Sequence, residues 1–482
     1  MAATFELRDL IGGDAPAGTL VYGITADSRQ VGQGFAFFAI PGAKADGARY
    51  ANDAVARGAS VVVGEGERPP ELLARIPYVR VPDVRRALAL SAAKVFPRQP
   101  KAMVAVTGTN GKTSVASFVR QIWAALGEQA ANVGTIGLVT PSGEVAGSLT
   151  TPDSVSLHEL LDRLAETGVT HMAMEASSHG LDQKRLDGVR LAAGAFTNLT
   201  RDHLDYHKTF DAYRAAKMRL FDTLLPAGAA AVADADEEDA SQVEIIAKQK
   251  GLRYFSVGRA GKNLQLVTSK IDGFAQHLEI LADGTKYSVK LPLVGAFQVS
   301  NALVAAGLAI ATGSDTKKVL AALENLKGAS GRLEFAGEKN GAPIFIDYAH
   351  TPDALENALT ALRPYVKGKL AVVFGAGGDR DPGKRPLMGA AAAKYADQIY
   401  VTDDNPRSEE PSEIRRAIMK EARGAVEIGD RSEAVRKAVQ DLKQGDVLLV
   451  AGKGHETGQI LRDRTIPYTD HDAVKAALKE SR

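Results

Sequence analysis

A glycine-rich turn with the sequence Thr-Gly-Thr-Asn-Gly-Lys-Thr-Ser carries the residue types that bind a nucleotide phosphate. Gly108 and Gly111 let successive backbone N–H groups face one anion, while Lys112 and the Thr113 hydroxyl reach phosphate and its Mg²⁺. The full Walker pattern requires one more glycine, five residues before the Gly-Lys pair, and this chain has Val106 there. The turn therefore predicts an ATP site of a shortened form.

An acidic and an imidazole side chain follow two predicted strands further along the chain. Glu175 comes after the apolar run 169–174, and His203 lies in the polar string after the run 193–197. Ligands gather outside the carboxyl ends of parallel strands, so we expect both side chains to share a crevice with Lys112. Mg²⁺ prefers oxygen ligands, which suits Glu175 better than the imidazole. A histidine in such a string is either functional or solvated, and its polar neighbours favour a function.

The elements that must position these groups have an α/β pattern. The apolar run 103–106 predicts a strand before the turn, and apolar residues at helical spacing after the turn predict a helix. The first domain alternates predicted strands at 36–40 and 59–63 with a predicted helix at 50–56.

Two turn-forming segments divide the chain. The Phe-Pro-Arg-Gln-Pro segment that ends at residue 100 closes a helical run, and Gly-Ala-Ser-Gly at 328–331 follows another one. We therefore predict three domains, at 1–98, 99–330 and 331–482.

Composition restricts the class of protein. The chain has 482 residues, 45% hydrophobic and 24% charged, with a net charge of +1 and no cysteine. Length predicts several domains, and the small net charge favours neither a nucleic-acid partner nor an acidic membrane. Without cysteine there is no disulfide, thiol nucleophile or cysteine-bound zinc. We find no signal segment and no apolar span of membrane length, so we expect a cytoplasmic protein without membrane insertion. A monomer is the default expectation.

The ordered strings GTNGKTS, MEASSHGLDQKR, FTNLTRDHLDYH and YRAAKMRLF resemble those of the Mur ligase family, and the resemblance covers essentially the whole chain. It implies an N-terminal UDP-binding α/β domain, a central P-loop ATPase-like domain with a parallel sheet, and a C-terminal Rossmann-like α/β domain. It also implies ATP-dependent amide formation through an acyl phosphate, with Mg²⁺ as cofactor. The details resemble the members that extend UDP-MurNAc-L-Ala-D-Glu by the third residue of the peptidoglycan stem peptide.

The resemblance assigns roles to individual residues. In that family a lysine soon after the DHLDYH string is carbamylated, which here implies Lys217. A carbamate is an anion that holds a second Mg²⁺, whereas the unmodified lysine would repel it. The implied catalytic residues are Lys112, Glu175, His203 and Lys217, and the implied metal ligands are Thr113, Glu175, His203 and carbamylated Lys217.

Two binding sets follow from the same resemblance. The ATP set is Gly108, Thr109, Asn110, Gly111, Lys112, Thr113, Ser114, Asn301, Arg332, Asp347 and His350. The nucleotide-sugar set is Ala26, Ser28, Ala43, Lys44, Ala45, Thr150, Thr151, Ser177, Gln183 and Arg185.

The C-terminal domain is predicted to bind the added amino acid. Polar strings follow predicted strands at 370–374, 399–402 and 447–451, which suits a zwitterion. The string DNPR resembles the signature of members that use meso-diaminopimelate. Arg407 offers a planar partner for the carboxylate that lysine lacks. The implied set is Arg380, Asp404, Asn405, Pro406, Arg407, Gly452 and Glu456.

Three other functions remain open at this stage. One is the same reaction with L-lysine, and another is a folylpolyglutamate-type ligase with the same ATP loop. A third, from a different class, is a nucleotide-binding regulator without ligase activity.

Overall fold

The computed structural model describes residues 4–13, 15–42, 46–70, 72–73, 76–145, 147 and 149–480. Two units make up the chain: residues 1–265 with 303–319, and residues 266–302 with 320–482. The division crosses one strand and two helices, so the chain passes between the units more than once.

Fourteen of the described strands lie wholly in the first unit. Their bounds are β1 Phe5–Glu6, β2 Leu20–Val21, β3 Gly23–Thr25, β4 Phe35–Phe38, β5 Val61–Gly64, β6 Tyr78–Arg80, β7 Ala102–Thr107, β8 Ala130–Gly134, β9 Gly137–Thr140, β10 Gly143–Val145, β11 His171–Glu175, β12 Ala193–Phe196, β13 Ala230–Asp234 and β14 Arg253–Gly258.

Helices surround these strands. They are α1 Leu7–Ile11, α2 Ala51–Ala56, α3 Val84–Val95, α4 Lys112–Ala125, α5 Ser154–Glu166, α6 Ser178–Asp182, α7 Leu204–His207, α8 Phe210–Arg219 and α9 Ala240–Lys250.

The main sheet of this unit has the strand order β10-β9-β8-β11-β7-β12-β13-β14. The strands from β8 through β11, β7, β12 and β13 to β14 are parallel, so their carboxyl ends lie at one edge. Val104, Ala105 and Val106 of β7 are fully buried, as expected for a central strand covered on both faces. A smaller parallel sheet, β3-β4-β5-β6, forms at the N-terminal end of the chain.

The second unit is built on a six-stranded sheet. The division between the units falls in β15 Leu264–Asp272, α10 Ala296–Ala311 and α11 Thr316–Ala322. The further strands are β16 Ala275–Ala282, β17 Thr285–Leu291, β18 Glu334–Lys339, β19 Ala342–Asp347, β20 Leu370–Phe374, β21 Gln398–Val401, β22 Val426–Glu427, β23 Val447–Ala451, β24 Gly458–Ile460 and β25 Thr465–Pro467. The further helices are α12 Pro352–Leu362, α13 Lys384–Tyr395, α14 Pro411–Met419, α15 Arg431–Asp441 and α16 Asp470–Glu480.

The strand order of that sheet is β18-β19-β23-β20-β21-β22, and all pairs except β18 with β19 are parallel. Separate apolar clusters cover its two faces. The loops after β20, β21 and β23 therefore leave the sheet at the same edge.

The predicted α/β class with parallel sheets is confirmed, and most element positions shift by only one or two residues. The strand predicted at 169–174 is β11, which pairs with β7 as far as Val106 and so includes Glu175. The first two residues of that prediction belong instead to the turn after α5, where Val169 N donates to Leu164 O at 2.9 Å. Within the described part of the chain, no helix is long and apolar enough to cross a membrane.

Candidate active site

The glycine-rich turn joins β7 to α4, as predicted. Lys112, the first residue of α4, folds back so that its Nζ donates to Gly108 O at 2.9 Å and to Thr109 O at 2.8 Å. Gly108 has φ +145°, and a Cβ there would lie 1.9 Å from Thr197 Oγ1, so this position requires glycine. Thr113 and Ser114 are buried in the first turn of α4.

The loop after β12 holds this turn in place. Thr109 N donates to Asn198 O, and Asn110 N donates to Asn198 Oδ1, both at 2.9 Å. Thr197 Oγ1 donates to Asn110 O at 2.6 Å. The turn is therefore positioned by the neighbouring strand as well as by its own glycines.

Lys217 reaches the same turn from α8. Its side chain is fully buried, and its Nζ donates to Gly108 O at 2.6 Å and lies 4.5 Å from the centre of the Tyr213 ring. Burial, and after it the charge of Lys112, lowers the pKa of Lys217 well below its usual range, although Asp202 acts in the opposite direction. The ammonium form of Lys217 is therefore less favourable than that of an exposed lysine.

Glu175 lies at the end of β11 and is 2% exposed. Its carboxylate accepts hydrogen bonds from Thr135 N at 2.8 Å and Thr135 Oγ1 at 3.1 Å, and Thr135 Oγ1 lies 3.1 Å from Thr150 Oγ1. A Cβ on Gly134 would come within 1.9 Å of Glu175 Oε1. Uncharged donors thus bind both oxygens of this buried carboxylate.

Most of the central nucleotide-sugar set forms one hydrogen-bonded group. Thr151 Oγ1 donates to Glu175 O at 2.9 Å and lies 3.0 Å from Ser177 Oγ. Arg185 Nη1 donates to Thr151 O at 2.6 Å, and its Nη2 donates to Gln183 Oε1 at 2.7 Å. These four residues and Thr150 therefore line the same region as Glu175.

The N-terminal members of that set lie on the smaller sheet. Ala26 follows β3, and Ser28 begins a short 3₁₀ turn. The other predicted members of this group lie outside the described residues: Ala43, Lys44 and Ala45.

Three histidines form a cluster beside α8. The ring centre of His179 lies 4.9 Å from that of His203 and 5.5 Å from that of His207. His203 has φ +53° and a side chain that is 46% exposed, and its ring centre lies 6.1 Å from that of Tyr213. Burial is the main cause that lowers the pKa of His179 and of His207. Tyr213 OH lies 3.0 Å from Thr109 Oγ1, so the cluster adjoins the glycine-rich turn.

Four residues are predicted to bind Mg²⁺. Among the described residues, no group of three or more His, Asp and Glu side chains is arranged to hold a metal ion. Of the predicted ligands, Thr113, Glu175 and a modified Lys217 supply oxygen donors of the kind that Mg²⁺ prefers, whereas His203 supplies a nitrogen. The donor chemistry therefore fits Mg²⁺ only together with ATP and the carbamate.

The remaining predicted ATP residues lie in the second unit and adjoin one another. Asn301 Nδ2 donates to Gln298 Oε1 at 3.1 Å, and Gln298 Nε2 donates to Arg332 O at 3.3 Å. Asp347 accepts hydrogen bonds from the backbone N–H groups of residues 333 and 349, at 2.7 and 2.8 Å. Burial raises the pKa of Asp347 and lowers that of His350.

The predicted amino-acid set gathers at the carboxyl edge of the six-stranded sheet. Arg407 has φ +54°, and its Nη1 donates to Gly378 O at 2.9 Å and to Asn405 O at 3.4 Å. Asp404 is 7% exposed, and its Oδ2 has no hydrogen-bond partner among the described residues. A Cβ on Gly452 would lie 2.7 Å from that oxygen.

The remaining four members of the set complete this arrangement. Asn405 Nδ2 donates to Glu456 Oε2 at 2.8 Å, which joins the loop after β21 to the loop after β23. The loop after β20 carries Arg380, whose Nη1 donates to Asp379 O at 3.2 Å. Pro406 lies between Asn405 and Arg407. The structure thus brings together all the loops that the sequence analysis assigned to the amino acid.

Sequence reasoning missed several residues that hold the predicted ones. They are Thr135 beside Glu175, Tyr213 beside Lys217, Gln298 beside Asn301, and Lys453 beside Asn405 and Glu456. Two of these residues lie within a motif: Tyr213 begins the string YRAAKMRLF, and Lys453 lies between two predicted residues in the string Gly-Lys-Gly-His-Glu.

The fold and the glycine-rich turn agree with a comparison to known protein families. The chain matches the Mur ligase family catalytic domain at residues 20–95, the Mur ligase middle domain at 106–309 and the Mur ligase glutamate ligase domain at 331–454. This protein belongs to the Mur ligase family. The three successive matches confirm the predicted three-domain architecture, whereas the boundaries at residues 98 and 330 stay a prediction.

Several members of that family are similar to this chain over nearly its full length. The chain is 57% identical to the UDP-N-acetylmuramoyl-L-alanyl-D-glutamate--2,6-diaminopimelate ligase of Bradyrhizobium diazoefficiens, across 98% of this chain and 99% of that protein. It is 56% identical to the ligase of the same name from Mesorhizobium japonicum, again across 98% and 99%. A solved structure of a ligase with this name is 30% identical, with a TM-score of 0.74 and 99% of both chains covered.

Proposed function

We propose that this chain is an ATP-dependent ligase that joins meso-diaminopimelate to UDP-N-acetylmuramoyl-L-alanyl-D-glutamate in peptidoglycan synthesis. The observation that carries the proposal is the 57% identity, over nearly the full length of both chains, to a ligase named for this reaction. The convergence of Lys112 and Lys217 on one loop carbonyl supports phosphate chemistry at the predicted turn.

The first chemical step activates the acceptor. The side-chain carboxylate of the D-glutamate residue attacks the γ-phosphorus of ATP, so that ADP leaves and an acyl phosphate forms. The attack brings anionic groups together, and positive charge near the transferred group therefore lowers the barrier. Lys112 and the backbone N–H groups at the start of α4 supply that charge. Asn301, Arg332, Asp347 and His350 are proposed to hold the nucleoside.

The second step forms the amide bond. The amine of diaminopimelate attacks the acyl carbon, and the resulting tetrahedral intermediate expels inorganic phosphate. Positioning is the main contribution of the protein to this step. Arg407 is proposed to pair with the distal carboxylate, while Asp404 and Glu456 are proposed to bind ammonium groups. A lysine substrate would leave the Arg407 guanidinium without that carboxylate.

The nucleotide sugar is assigned to the hydrogen-bonded group around Thr151. Arg185 is the cation of this group and suits a diphosphate or a carboxylate. Ser177 and Gln183 offer neutral contacts, and Ala26, Ser28 and the 43–45 segment are proposed to bind the uridine end.

Mg²⁺ is proposed to be held with ATP by Thr113, Glu175, His203 and the carbamate of Lys217. When bound, it would neutralise phosphate oxygens while the negative charge moves during transfer. The surroundings of Lys217 favour carbamylation, because only a neutral amine attacks CO₂ and burial lowers the pKa of Lys217. The use of ATP and a nucleotide sugar fits the cytoplasm, and both this location and the monomeric state stay predictions.

The test is an assay of ADP release by purified protein with ATP, Mg²⁺ and UDP-N-acetylmuramoyl-L-alanyl-D-glutamate. Meso-diaminopimelate, L-lysine and no amino acid are compared, and a folate substrate is added in a separate arm. We expect ADP only with meso-diaminopimelate. Release with lysine alone would assign the lysine reaction, a folate-dependent rate would assign the folylpolyglutamate reaction, and ATP binding without ADP release would indicate a regulator.

A further inference from the structure

One fully buried lysine ties together two loops of the six-stranded sheet. Lys453 follows β23 and is 0% exposed, and its Nζ donates to Asn405 Oδ1 and to Glu456 Oε2, both at 2.9 Å. Asn405 belongs to the loop after β21. Since β20 lies between β21 and β23, the two loops leave the sheet about 10 Å apart. The long lysine side chain bridges that distance.

The contacts of Lys453 fix the orientation of the Asn405 amide. Oδ1 of Asn405 accepts from Lys453 Nζ and also from Ile460 N at 2.9 Å. Both partners are donors, so this atom must be the amide oxygen. The amide nitrogen is then directed at Glu456, where it donates to Oε2 at 2.8 Å.

The same contacts fix the Glu456 carboxylate. Within the described part of the chain, the two side-chain donors recorded for this group, Lys453 Nζ and Asn405 Nδ2, both meet Oε2. The Glu456 side chain is 30% exposed, whereas that of Lys453 is 0% exposed. One oxygen is thus held from the protein side, and Oε1 is left for a ligand that arrives from solvent.

A buried ammonium is costly unless it is paired and hydrogen-bonded. Both side-chain acceptors of Lys453 belong to the set assigned to the amino acid. We propose that Lys453 is a positioning residue for the amino-acid substrate, which holds Glu456 and Asn405 in the arrangement that binds an α-ammonium group. This inference rests on the proposed function and adds a residue to its site.

The experiment compares Lys453→Met, Glu456→Gln and the double variant with the wild-type protein. Methionine keeps the length of the lysine side chain and removes its charge. KM values for diaminopimelate, ATP and the nucleotide sugar are measured together with kcat, and amino-acid binding is measured separately by calorimetry. Tyr400→Phe is the matched control, because Tyr400 is also buried and loses the contacts of its hydroxyl with Gln398 and with Asp441, the latter at 2.6 Å.

We expect Lys453→Met to raise the KM for diaminopimelate at least tenfold and to change kcat and the other two KM values less than twofold. The double variant should bind no more weakly than the weaker single variant, because both changes remove one unit. Tyr400→Phe should lower the melting temperature without changing any KM. If Lys453→Met does not fold, the double variant decides the question, because it leaves no unpaired buried charge and should match Glu456→Gln.

Three results would overturn the inference: an unchanged KM for diaminopimelate, an equal rise in all three KM values, or single effects that multiply in the double variant. Failure of the proposed function is recognised separately. In that case the wild-type protein itself releases no ADP with diaminopimelate. If it also binds neither diaminopimelate nor lysine in the calorimeter, both proposals fall.

Discussion

Lys112 and Lys217 donate hydrogen bonds to the same backbone oxygen, Gly108 O, at 2.9 and 2.6 Å. Two ammonium groups this close repel each other, and the buried one of the pair is Lys217. Burial, and after it the charge of Lys112, lowers the pKa of Lys217 well below its usual range. A lowered pKa favours the neutral amine that the proposed carbamylation of Lys217 requires.

We expect Lys217→Ala to lower the rate of ADP release at least 100-fold. Its proposed carbamate oxygens are lost, and a short-chain carboxylic acid such as acetate should restore part of the rate by occupying the space left. Lys248→Ala is the control, since Lys248 is exposed on α9 and pairs with Glu244, one turn earlier in the same helix. A variant that keeps the full rate without any added acid would rule out the carbamate.

The phosphate turn should not tolerate a side chain at Gly108. Gly108→Ala places a methyl group 1.9 Å from Thr197 Oγ1 and 3.1 Å from Asn198 N, at a φ that disfavours alanine. Gly127→Ala is a matched control, with φ +89° and no heavy atom within 4 Å of the added carbon. Both variants carry backbone strain of about 1–3 kcal/mol, but only the first displaces the loop.

ATP binding separates these two effects. We expect Gly108→Ala to weaken ATP binding at least tenfold in a titration, whereas Gly127→Ala should lower the melting temperature and bind ATP normally. Equal ATP affinity in the two variants would show that the close approach to Thr197 does not matter.

Arg407 should determine the preference for diaminopimelate over lysine. Arg407→Ala removes the proposed partner of the distal carboxylate, and a charged hydrogen bond of this kind contributes about 1.5–3 kcal/mol. We therefore expect a 10- to 100-fold rise in the KM for diaminopimelate with an unchanged KM for ATP. Arg416→Ala, an exposed arginine on α14, is the control. If discrimination between the two amino acids is the same before and after the change, Arg407 has no such role.

The sequence predicted elements best where apolar runs are short and bounded. The strands predicted at 370–374 and 447–451 have those bounds in the structure, because each run is fully buried and ends at a glycine-rich loop. The strand predicted to end at Glu175 does end there, since pairing with β7 continues as far as Val106, but it begins at His171 rather than at Val169. The charge of Glu175 predicts that the strand ends there. The extent of the strand, however, is determined by its pairing with β7.

Contacts between distant residues were not readable from local patterns. Lys217 lies 109 residues from Gly108, and Lys453 lies 48 residues from Asn405. Only the family resemblance indicates that Lys217 belongs to the same site as Gly108. No sequence pattern predicts the contact between Lys453 and Asn405. Burial of a lysine depends on which helices and strands cover it, and periodicity does not show this for a single polar residue.

Two histidines should give the stability of the protein opposite pH dependences. His158 is fully buried, donates from Nε2 to Asp187 O at 2.9 Å, and has no partner for Nδ1 within the described residues. Burial is the main cause that lowers its pKa. His471 instead pairs with Glu334 at 2.7 Å, and this hydrogen bond is the main cause that raises its pKa.

The sign of each effect follows from proton linkage. Below about pH 6.5 the unfolded chain protonates at His158 while the folded chain resists, so the stabilisation by the neutral imidazole is lost as the pH falls. The contribution of His471 is fully present below about pH 6.5 and disappears as the pH rises through its higher folded pKa. We expect His158→Gln to reduce the loss of stability between pH 7 and 5, and His471→Gln to increase it, in urea melts at each pH. Parallel pH profiles for the two variants and the wild-type protein would contradict both assignments.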